Sequence, residues 1–298
     1  MFIGCGTALV TPFKRDLSLD EAALRRLARR QIEAGINFLV PCGTTGENPT
    51  LSRAEHLRVV EIVLEEAKGK VPVLAGAGGY NTAEVIELAK ELEAMGADGI
   101  LSVTPYYNKP TQEGLYQHYR AIASAIRVPI VIYSVQGRTG VNVEPATLRR
   151  LSEIDNIAGV KEASGNIAQI GAILNQAPER FAVLSGDDAI TMAVIALGGK
   201  GVISTVANEI PAEMTQIARL CLANDFPAAR PVHRKYLPLM DVNFVETNPI
   251  PVKAAMALMG LLEPVWRLPL VPPAAANLAK IEKVLRDLAL LETAHAAD

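Results

Sequence analysis

The sequence predicts a (β/α)8 TIM barrel followed by a C-terminal helical extension, and two observations carry that prediction. Eight short runs of apolar, mostly β-branched residues recur along the first two thirds of the chain, and amphipathic stretches separate them. Most of these runs are continuously apolar rather than alternating, as expected for parallel strands that are buried on both faces. Strands that alternate with helices indicate a parallel sheet, and eight such units favour a closed barrel over an open sheet.

The individual elements can be placed along the chain. The predicted strands are residues 3–10, 37–41, 71–75, 99–103, 128–133, 157–161, 181–184 and 201–205. Three of the helices follow a Ser or Asn that has Glu three residues later, the pattern of a capping box. These pairs, each with the helix that it precedes, are Ser18 and Glu21 before 22–34, Ser52 and Glu55 before 57–67, and Asn81 and Glu84 before 85–95. No GxGxxG motif follows the first strand, which argues against a dinucleotide-binding open sheet.

The C-terminal part of the chain has no further strands. Four helices are predicted there, over residues 211–222, 226–239, 249–262 and 274–291. We therefore divide the chain into a barrel of residues 1–224 and an extension of residues 225–298 that packs on the barrel. The expected role of the extension is to cover one side of the barrel or to contact a partner, and a direct part in catalysis is the less favoured alternative.

Composition excludes several classes of protein. Half of the residues are hydrophobic, and 29 basic against 32 acidic residues give a net charge of −3, so disorder and nucleic-acid binding are both disfavoured. No apolar run reaches the roughly 18–20 residues of a membrane span, and the N-terminus lacks a signal-peptide pattern. Cys5, Cys42 and Cys221 are far apart, which predicts reduced thiols and a cytoplasmic protein. No histidine pair has a zinc-binding spacing, so we expect no metal.

The strongest chemical signal is Lys161, which ends the sixth predicted strand after four apolar residues. Active sites of (β/α)8 barrels form where the strands end. Burial disfavours the charged form of an amine, so a lysine in that position is suited to attack a ketone and form an imine. The alternative is a lysine whose ammonium group extends out of the barrel mouth into water.

Other strand ends offer groups that would complement this lysine. The second strand leads into Gly-Thr-Thr-Gly-Glu at residues 43–47, whose hydroxyl and N–H groups suit a carboxylate or phosphate, although an ordinary glycine-rich turn is an alternative.

Tyr133 ends the fifth strand and Arg138 follows it. A phenol can transfer a proton and a guanidinium can bind a carboxylate. The alternatives are that Tyr133 only caps the core and that Arg138 is a solvated charge on the loop. Tyr106 and Tyr107 follow the fourth strand, where packing at an interface would also explain them.

These motifs together resemble the dihydrodipicolinate synthase / N-acetylneuraminate lyase family. The resemblance rests on five features in order, namely the Gly-Thr-Thr-Gly-Glu turn, the Tyr-Tyr pair, Tyr133 with Arg138-Thr-Gly, the Gly-Val-Lys-Glu run and Ser-Gly-Asp-Asp. It covers nearly the whole chain. The resemblance implies an aldol-type condensation of pyruvate with L-aspartate 4-semialdehyde through a lysine Schiff base, on the diaminopimelate route to lysine, without a metal or organic cofactor.

The resemblance also implies which residues would bind the two substrates. Lys161 would form the imine with pyruvate, and Thr45 with neighbouring backbone amides would hold the pyruvate carboxylate. Arg138 would bind the carboxylate of the semialdehyde, while Gly186 and Ile203 would supply backbone contacts.

A proton relay and an oligomer follow from the same resemblance. Tyr133, Thr44 and Tyr107 would form a hydrogen-bonded relay in which Tyr133 is the general acid and base. Tyr107 would reach in from a neighbouring subunit, so a dimer within a homotetramer would be the catalytic unit.

The chain departs from the family pattern in two places. After Tyr133 the family usually has Asn-Val-Pro, whereas this chain has Ser-Val-Gln, and loss of a proline would loosen the loop that presents Arg138. The second place is a possible allosteric pocket for lysine, whose residues here are His56, Glu84, Tyr106, Tyr80 and Arg53. The family usually has His in place of Arg53 and Asn in place of Tyr80, so a further cation and a bulky phenol predict weak or absent inhibition by lysine.

Three other functions remain as alternatives. A related aldolase or lyase acting on a longer 2-oxo acid or sialic acid would share Lys161, Tyr133 and the threonine turn, but Arg138 and the Tyr-Tyr pair count against it. A catalytically silent, metabolite-binding barrel would have no need for the imine lysine. A pyridoxal-phosphate enzyme would need a phosphate site and a partner for the pyridine nitrogen, and neither can be placed.

Overall fold

Eight parallel strands pair edge to edge in the computed structural model, which describes residues 2–291, and they form the predicted (β/α)8 barrel. The sheet runs in the order β2-β1-β8-β7-β6-β5-β4-β3. A parallel bridge between Leu39 and Val73 joins the two outermost strands, and there Leu39 N donates to Pro72 O over 3.0 Å. The strands are β1 Gly4–Ala8, β2 Phe38–Val40, β3 Leu74–Gly76, β4 Gly99–Val103, β5 Ile130–Ser134, β6 Ile157–Glu162, β7 Ala182–Ser185 and β8 Gly201–Ser204.

The strands are buried on both faces, as their continuous apolar runs predict. Side chains that point into the barrel form one cluster, which contains Val131 and Tyr133 of β5. The alternate residues of the same strand, Ile130 and Ile132, belong to a second and larger cluster between the sheet and the surrounding helices. The two-residue period of a strand therefore divides the core into an inner and an outer layer.

Helices alternate with the strands and cover the barrel. They are α1 Glu21–Glu33, α2 Arg53–Ala67, α3 Thr82–Ala94, α4 Gln112–Ala125, α5 Gln136–Thr139, α6 Pro145–Ser152, α7 Ile167–Gln176, α8 Thr191–Ala196, α9 Pro211–Leu222, α10 Phe226–Val242, α11 Ile250–Leu258 and α12 Ala275–Asp287. No helix within residues 2–291 is both long and apolar enough to cross a membrane.

Two of the three predicted helix starts are confirmed. Ser52 and Glu55 form the complete capping box of α2, and Asn81 caps α3 by accepting from Ala83 N over 3.1 Å. The prediction for α1 was wrong, because its cap is Asp20, which accepts from Ala23 N over 2.9 Å. The Ser18 hydroxyl instead donates to Asp16 over 2.6 Å within the preceding turn, so it is not free to cap the helix.

The helices of the C-terminal part lie close to their predicted positions. α9 has the predicted bounds, while α10 continues three residues further than predicted, to Val242. α11 stops four residues early, at Leu258, just before Gly260 with its φ of 72°. The division of the chain at residue 224 stays a prediction, and residues 292–298 of the proposed extension lie outside the described residues.

Candidate active site

The C-terminal ends of the strands surround a cavity of about 670 Å³ at the mouth of the barrel. Among the residues that line it are five of the predicted site residues: Thr45, Tyr133, Arg138, Lys161 and Gly186. They come from β2, β5, β6 and β7 or from the loops that follow these strands. Positions separated by more than 100 residues are brought together because parallel strands present their C-terminal ends at one side of the barrel.

Lys161 lies next to Tyr133 in the lining of this cavity. The two residues are direct partners in the register of β5 and β6, and Lys161 Nζ lies 4.3 Å from the centre of the Tyr133 ring. Lys161 is only 5% exposed, so the alternative of an ammonium group extended into bulk water does not hold. The lysine amine therefore opens onto the cavity rather than onto the surrounding solvent.

Gly186 allows the loop after β7 to pass close to this lysine. A Cβ atom at this position would lie 2.6 Å from Ala163 Cβ and 3.2 Å from Lys161 Cε. The Gly186 N–H donates to Glu162 O over 2.7 Å, which holds the loop against the end of β6. A larger residue would push either the loop or the lysine side chain out of position.

The Gly-Thr-Thr-Gly-Glu segment forms a tight turn in which two backbone N–H groups remain free to donate. The amides of Gly46 and Glu47 donate to Gly43 O and Thr44 O, each over 3.1 Å. Within residues 2–291, the amides of Thr44 and Thr45 donate to no protein acceptor. Two adjacent free N–H groups beside a threonine hydroxyl are suited to bind a carboxylate.

Arg138 lies on a short helical turn and has no carboxylate partner. In α5, the N–H groups of Arg138 and Thr139 donate to Val135 O over 3.0 and 3.1 Å. The Thr139 hydroxyl closes the loop by donating to Val141 O over 3.0 Å. The loop that lacks the proline is therefore held by local hydrogen bonds. No ion pair engages the Arg138 guanidinium within the described part of the chain, which leaves it available to an anionic ligand.

The remaining predicted site residues lie apart from the main cavity. Thr44 lines a second cavity of about 230 Å³ that shares Tyr133 and Arg138 with the first. Ile203 is 1% exposed and packs in the inner core of the barrel. Tyr107 is 91% exposed and lines neither of these cavities, so this chain does not bring it to its own site.

The residues of the possible allosteric pocket lie around the second cavity and on the adjoining helices. Tyr106 lines that cavity with Asn48, and Asn48 Oδ1 lies 2.8 Å from His56 Nδ1. Burial lowers the pKa of His56 to about 4. The Tyr80 and Tyr106 rings pack edge to face, 5.2 Å apart. On the neighbouring surface, Arg53 pairs with Glu91 over 3.2 Å, and Glu84 Oε1 accepts from Asn81 over 2.8 Å.

The sequence analysis missed two residues of the C-terminal part that contact the threonine turn. Asn248 Nδ2 donates to Thr45 Oγ1 over 3.0 Å, and Lys253 forms an ion pair with Glu47. Burial lowers the pKa of Lys253, and the Glu47 carboxylate opposes that shift. A lone lysine in the apolar run of α11 was a usable signal, because a buried charge requires a partner. Nothing in the sequence marks Asn248.

Comparisons with known proteins identify the family to which this fold and sequence are similar. Residues 1–288 match the family model described as the dihydrodipicolinate synthetase family. A relative from Koribacter versatilis, named 4-hydroxy-tetrahydrodipicolinate synthase, is 54% identical over 295 residues, which cover 99% of this chain and 98% of the relative. The crystal structure of dihydrodipicolinate synthase from Aquifex aeolicus has a TM-score of 0.96 and 42% identity, and the match covers 98% of this chain and 100% of that chain.

A third comparison concerns a structure with a bound ligand. The chloride-inhibited dihydrodipicolinate synthase from Acinetobacter baumannii, solved in complex with pyruvate, has a TM-score of 0.96 and 42% identity, with 98% of this chain and 100% of that chain covered. The family model and the identity of the relatives both extend over nearly the full length. This chain belongs to the dihydrodipicolinate synthetase family.

Proposed function

We propose that the protein is a 4-hydroxy-tetrahydrodipicolinate synthase, which condenses pyruvate with L-aspartate 4-semialdehyde in the lysine and diaminopimelate pathway. The observation that carries the proposal is the buried amine of Lys161, which lies beside the Tyr133 ring and shares a cavity with Thr45 of the carboxylate-binding turn. Full-length relatives that bear this name support it. The pyruvate complex of the Acinetobacter baumannii protein supports pyruvate as the first substrate.

The first half of the reaction takes place on Lys161. Its neutral amine attacks the carbonyl carbon of pyruvate, Tyr133 returns a proton to the departing oxygen, and water leaves to give a protonated imine. Thr45 and the free amides of the turn hold the pyruvate carboxylate during this step. The pyruvate methyl group then loses a proton to the Tyr133 phenolate that this step leaves, and the positive imine nitrogen accepts the remaining electron pair, which gives an enamine.

The second half forms the carbon–carbon bond. The enamine attacks the aldehyde carbon of the semialdehyde, whose carboxylate is bound by the unpaired guanidinium of Arg138. A proton from the relay neutralises the new alkoxide. The amino group of the semialdehyde then attacks the imine carbon, closes the ring and releases Lys161 as a free amine.

We propose further that Tyr107 of a neighbouring subunit completes the relay of Tyr133 and Thr44. The 230 Å³ cavity between Thr44 and Tyr133 has room for a phenol side chain. Tyr107 itself is 91% exposed, with Tyr80 beside Tyr106 also exposed, which is unusual for aromatic residues unless a partner covers them. The corresponding assembly is a homotetramer built from two such dimers. Three buried, unpaired cysteines support a cytoplasmic location.

Turnover of pyruvate with L-aspartate 4-semialdehyde, coupled to NADPH consumption by the following reductase, tests the proposal. The wild type should turn over, and Lys161→Ala should lose both turnover and the adduct that borohydride fixes between pyruvate and the protein. Absence of turnover with pyruvate still fixed on Lys161 would instead favour a related aldolase or lyase. Failure to fix pyruvate at all would favour a catalytically silent binding protein.

A further inference from the structure

The turn that would hold the pyruvate carboxylate is anchored at two points by the segment that leads into and opens α11. Asn248 Nδ2 donates a hydrogen bond to Thr45 Oγ1 over 3.0 Å. Five residues later, Lys253 Nζ forms an ion pair with the carboxylate of Glu47. Both contacts join residues that are more than 200 positions apart in the chain. The C-terminal part of the protein therefore contacts the turn at the mouth of the barrel directly.

The Asn248 contact fixes the direction of the Thr45 hydroxyl group. Because Thr45 Oγ1 accepts the hydrogen bond from Asn248, its own hydrogen points away from that amide. Both residues line the 670 Å³ cavity, so the hydroxyl is left to donate to a ligand there. Thr45 is 2% exposed, and bulk water therefore offers few competing acceptors for this hydrogen.

The ion pair between Lys253 and Glu47 holds the other end of the same turn. Neither side chain has any exposed surface. The desolvation of two such charges largely offsets their attraction, so the pair contributes a fixed position more than it contributes stability. Glu47 has a left-handed φ of 52°, and its N–H donates to Thr44 O. The ion pair fixes the Glu47 side chain, and the hydrogen bond from Glu47 N–H to Thr44 O extends that restraint to the backbone of Thr44 and Thr45.

We propose that Asn248 and Lys253 are positioning residues for the pyruvate carboxylate site. They hold the turn so that the Thr45 hydroxyl donates to the carboxylate beside the amides of Thr44 and Thr45. The proposal rests on the proposed function and deepens it. Loss of either contact weakens pyruvate binding, whereas imine formation on Lys161 at saturating pyruvate is unchanged because the amine itself is not moved.

A double-mutant cycle between Asn248 and Thr45 tests the proposal without the second substrate. The measured quantity is the pyruvate concentration that gives half-maximal borohydride-fixed adduct, read by intact mass. Thr45→Val, which removes the hydroxyl at equal size, should raise this concentration about 10- to 100-fold. Asn248→Ala should raise it about 5- to 10-fold, and the double variant should match Thr45→Val alone within about twofold, since the amide acts through the hydroxyl.

Two further variants complete the experiment. The double substitution Glu47→Gln with Lys253→Met removes both buried charges, and it should raise the half-maximal concentration by a factor similar to that of Asn248→Ala. Asn156→Ala is the matched control, because Asn156 donates to Ala123 O and Ile126 O at the opposite end of the barrel. This control should lower the melting temperature without changing the pyruvate dependence.

Four outcomes would overturn the proposal. Additive effects of Asn248→Ala and Thr45→Val would show that Asn248 does not act through the hydroxyl. An unchanged pyruvate dependence in Asn248→Ala, or an equal change in the Asn156→Ala control, would show that the contact is merely structural. A wild type that fixes no pyruvate would refute the proposed function and this proposal with it, whereas the other three outcomes leave the proposed function standing.

Discussion

Tyr133 and Lys161 are direct partners across two neighbouring parallel strands, and the lysine amine lies 4.3 Å from the centre of the phenol ring. This relationship follows from the register of β5 and β6, which holds the penultimate residues of the two strands side by side. Neither side chain depends on a flexible loop for its place. A group suited to proton transfer is therefore fixed next to the proposed nucleophile before any substrate arrives.

Arg138 should contribute to binding of the semialdehyde but not to binding of pyruvate. Its guanidinium has no ion-pair partner among the described residues and lines the same cavity as Lys161. Loss of a charged hydrogen-bonding partner should raise the KM for the semialdehyde about 100-fold in Arg138→Ala. The amount of pyruvate fixed by borohydride should not change. Steady-state kinetics with each substrate varied will check this, and equal damage to the use of both substrates would contradict the assigned role.

Mixed dimers should show whether Tyr107 acts across a subunit interface. Lys161→Ala and Tyr107→Phe should each be nearly inactive, because loss of a proton-transfer group costs about 10²- to 10⁴-fold. When the two variants are refolded together in equal amounts, hybrids regain one intact site. We expect about a quarter of the wild-type activity from random pairing in a symmetric dimer. If mixing restores nothing, Tyr107 does not serve the neighbouring site.

Lysine should inhibit this protein weakly or not at all. Tyr80 is 59% exposed and packs against Tyr106, and Arg53 adds a cation where the family usually has histidine. Both residues disfavour a compact cationic ligand. An inhibition curve should show no half-effect below millimolar lysine, and the pair of substitutions Arg53→His and Tyr80→Asn should strengthen inhibition. Half-inhibition of the wild type at sub-millimolar lysine would refute this expectation.

Two buried histidines should make stability depend on pH. Burial lowers the pKa of both His56 and His118 to about 4, so below pH 6.5 the unfolded chain binds protons that the folded chain does not. Their contribution to stability is complete above pH 6.5 and is lost as the pH falls towards 4. Between pH 7.5 and 5 each histidine should reduce the free energy of unfolding by about 2 kcal/mol.

Denaturant titrations at pH 7.5 and pH 5 will measure this change. The Arg267 guanidinium holds the pKa of Glu55 at about 2. The contribution of Glu55 to the free energy of unfolding is therefore the same at pH 7.5 and at pH 5. His118→Gln retains a hydrogen-bonding group for Thr82 Oγ1, which lies 2.9 Å from the histidine ring. That variant should therefore show a pH-dependent loss of stability about 2 kcal/mol smaller than that of the wild type, and an unchanged dependence would assign the effect to other groups.

The buried pair of Lys253 and Glu47 should be sensitive to the loss of one partner alone. Lys253→Met leaves the Glu47 carboxylate buried without its counter-charge, so the free energy of unfolding should fall by about 3–5 kcal/mol. Adding Glu47→Gln removes that charge and should recover most of the loss. Chemical denaturation of the single and double variants will check this. Equal stability of the two variants would show that the charge left behind is not what destabilises the protein.

The sequence by itself determined the barrel and identified five of the residues that line the candidate site. Continuous apolar runs identify strands buried on both faces, and the motifs that follow them mark the strand ends where a barrel places its chemistry. Local signals also predicted the capping box of α2 and the bounds of α9. They failed at α1, where Asp20 caps the helix and the neighbouring Asp16 accepts the hydrogen bond of the Ser18 hydroxyl.

Only the tertiary structure decided which distant residues support that site. Asn248 meets Thr45, and Lys253 meets Glu47, across more than 200 residues of chain. No local propensity encodes such contacts, because they depend on how the C-terminal helices pack against the barrel mouth. The structure likewise decided that Lys161 is buried while Tyr107 is exposed, since burial is set by the neighbours that folding supplies. Residue type and strand periodicity determine the fold and the reactive groups, whereas three-dimensional packing determines which groups act together.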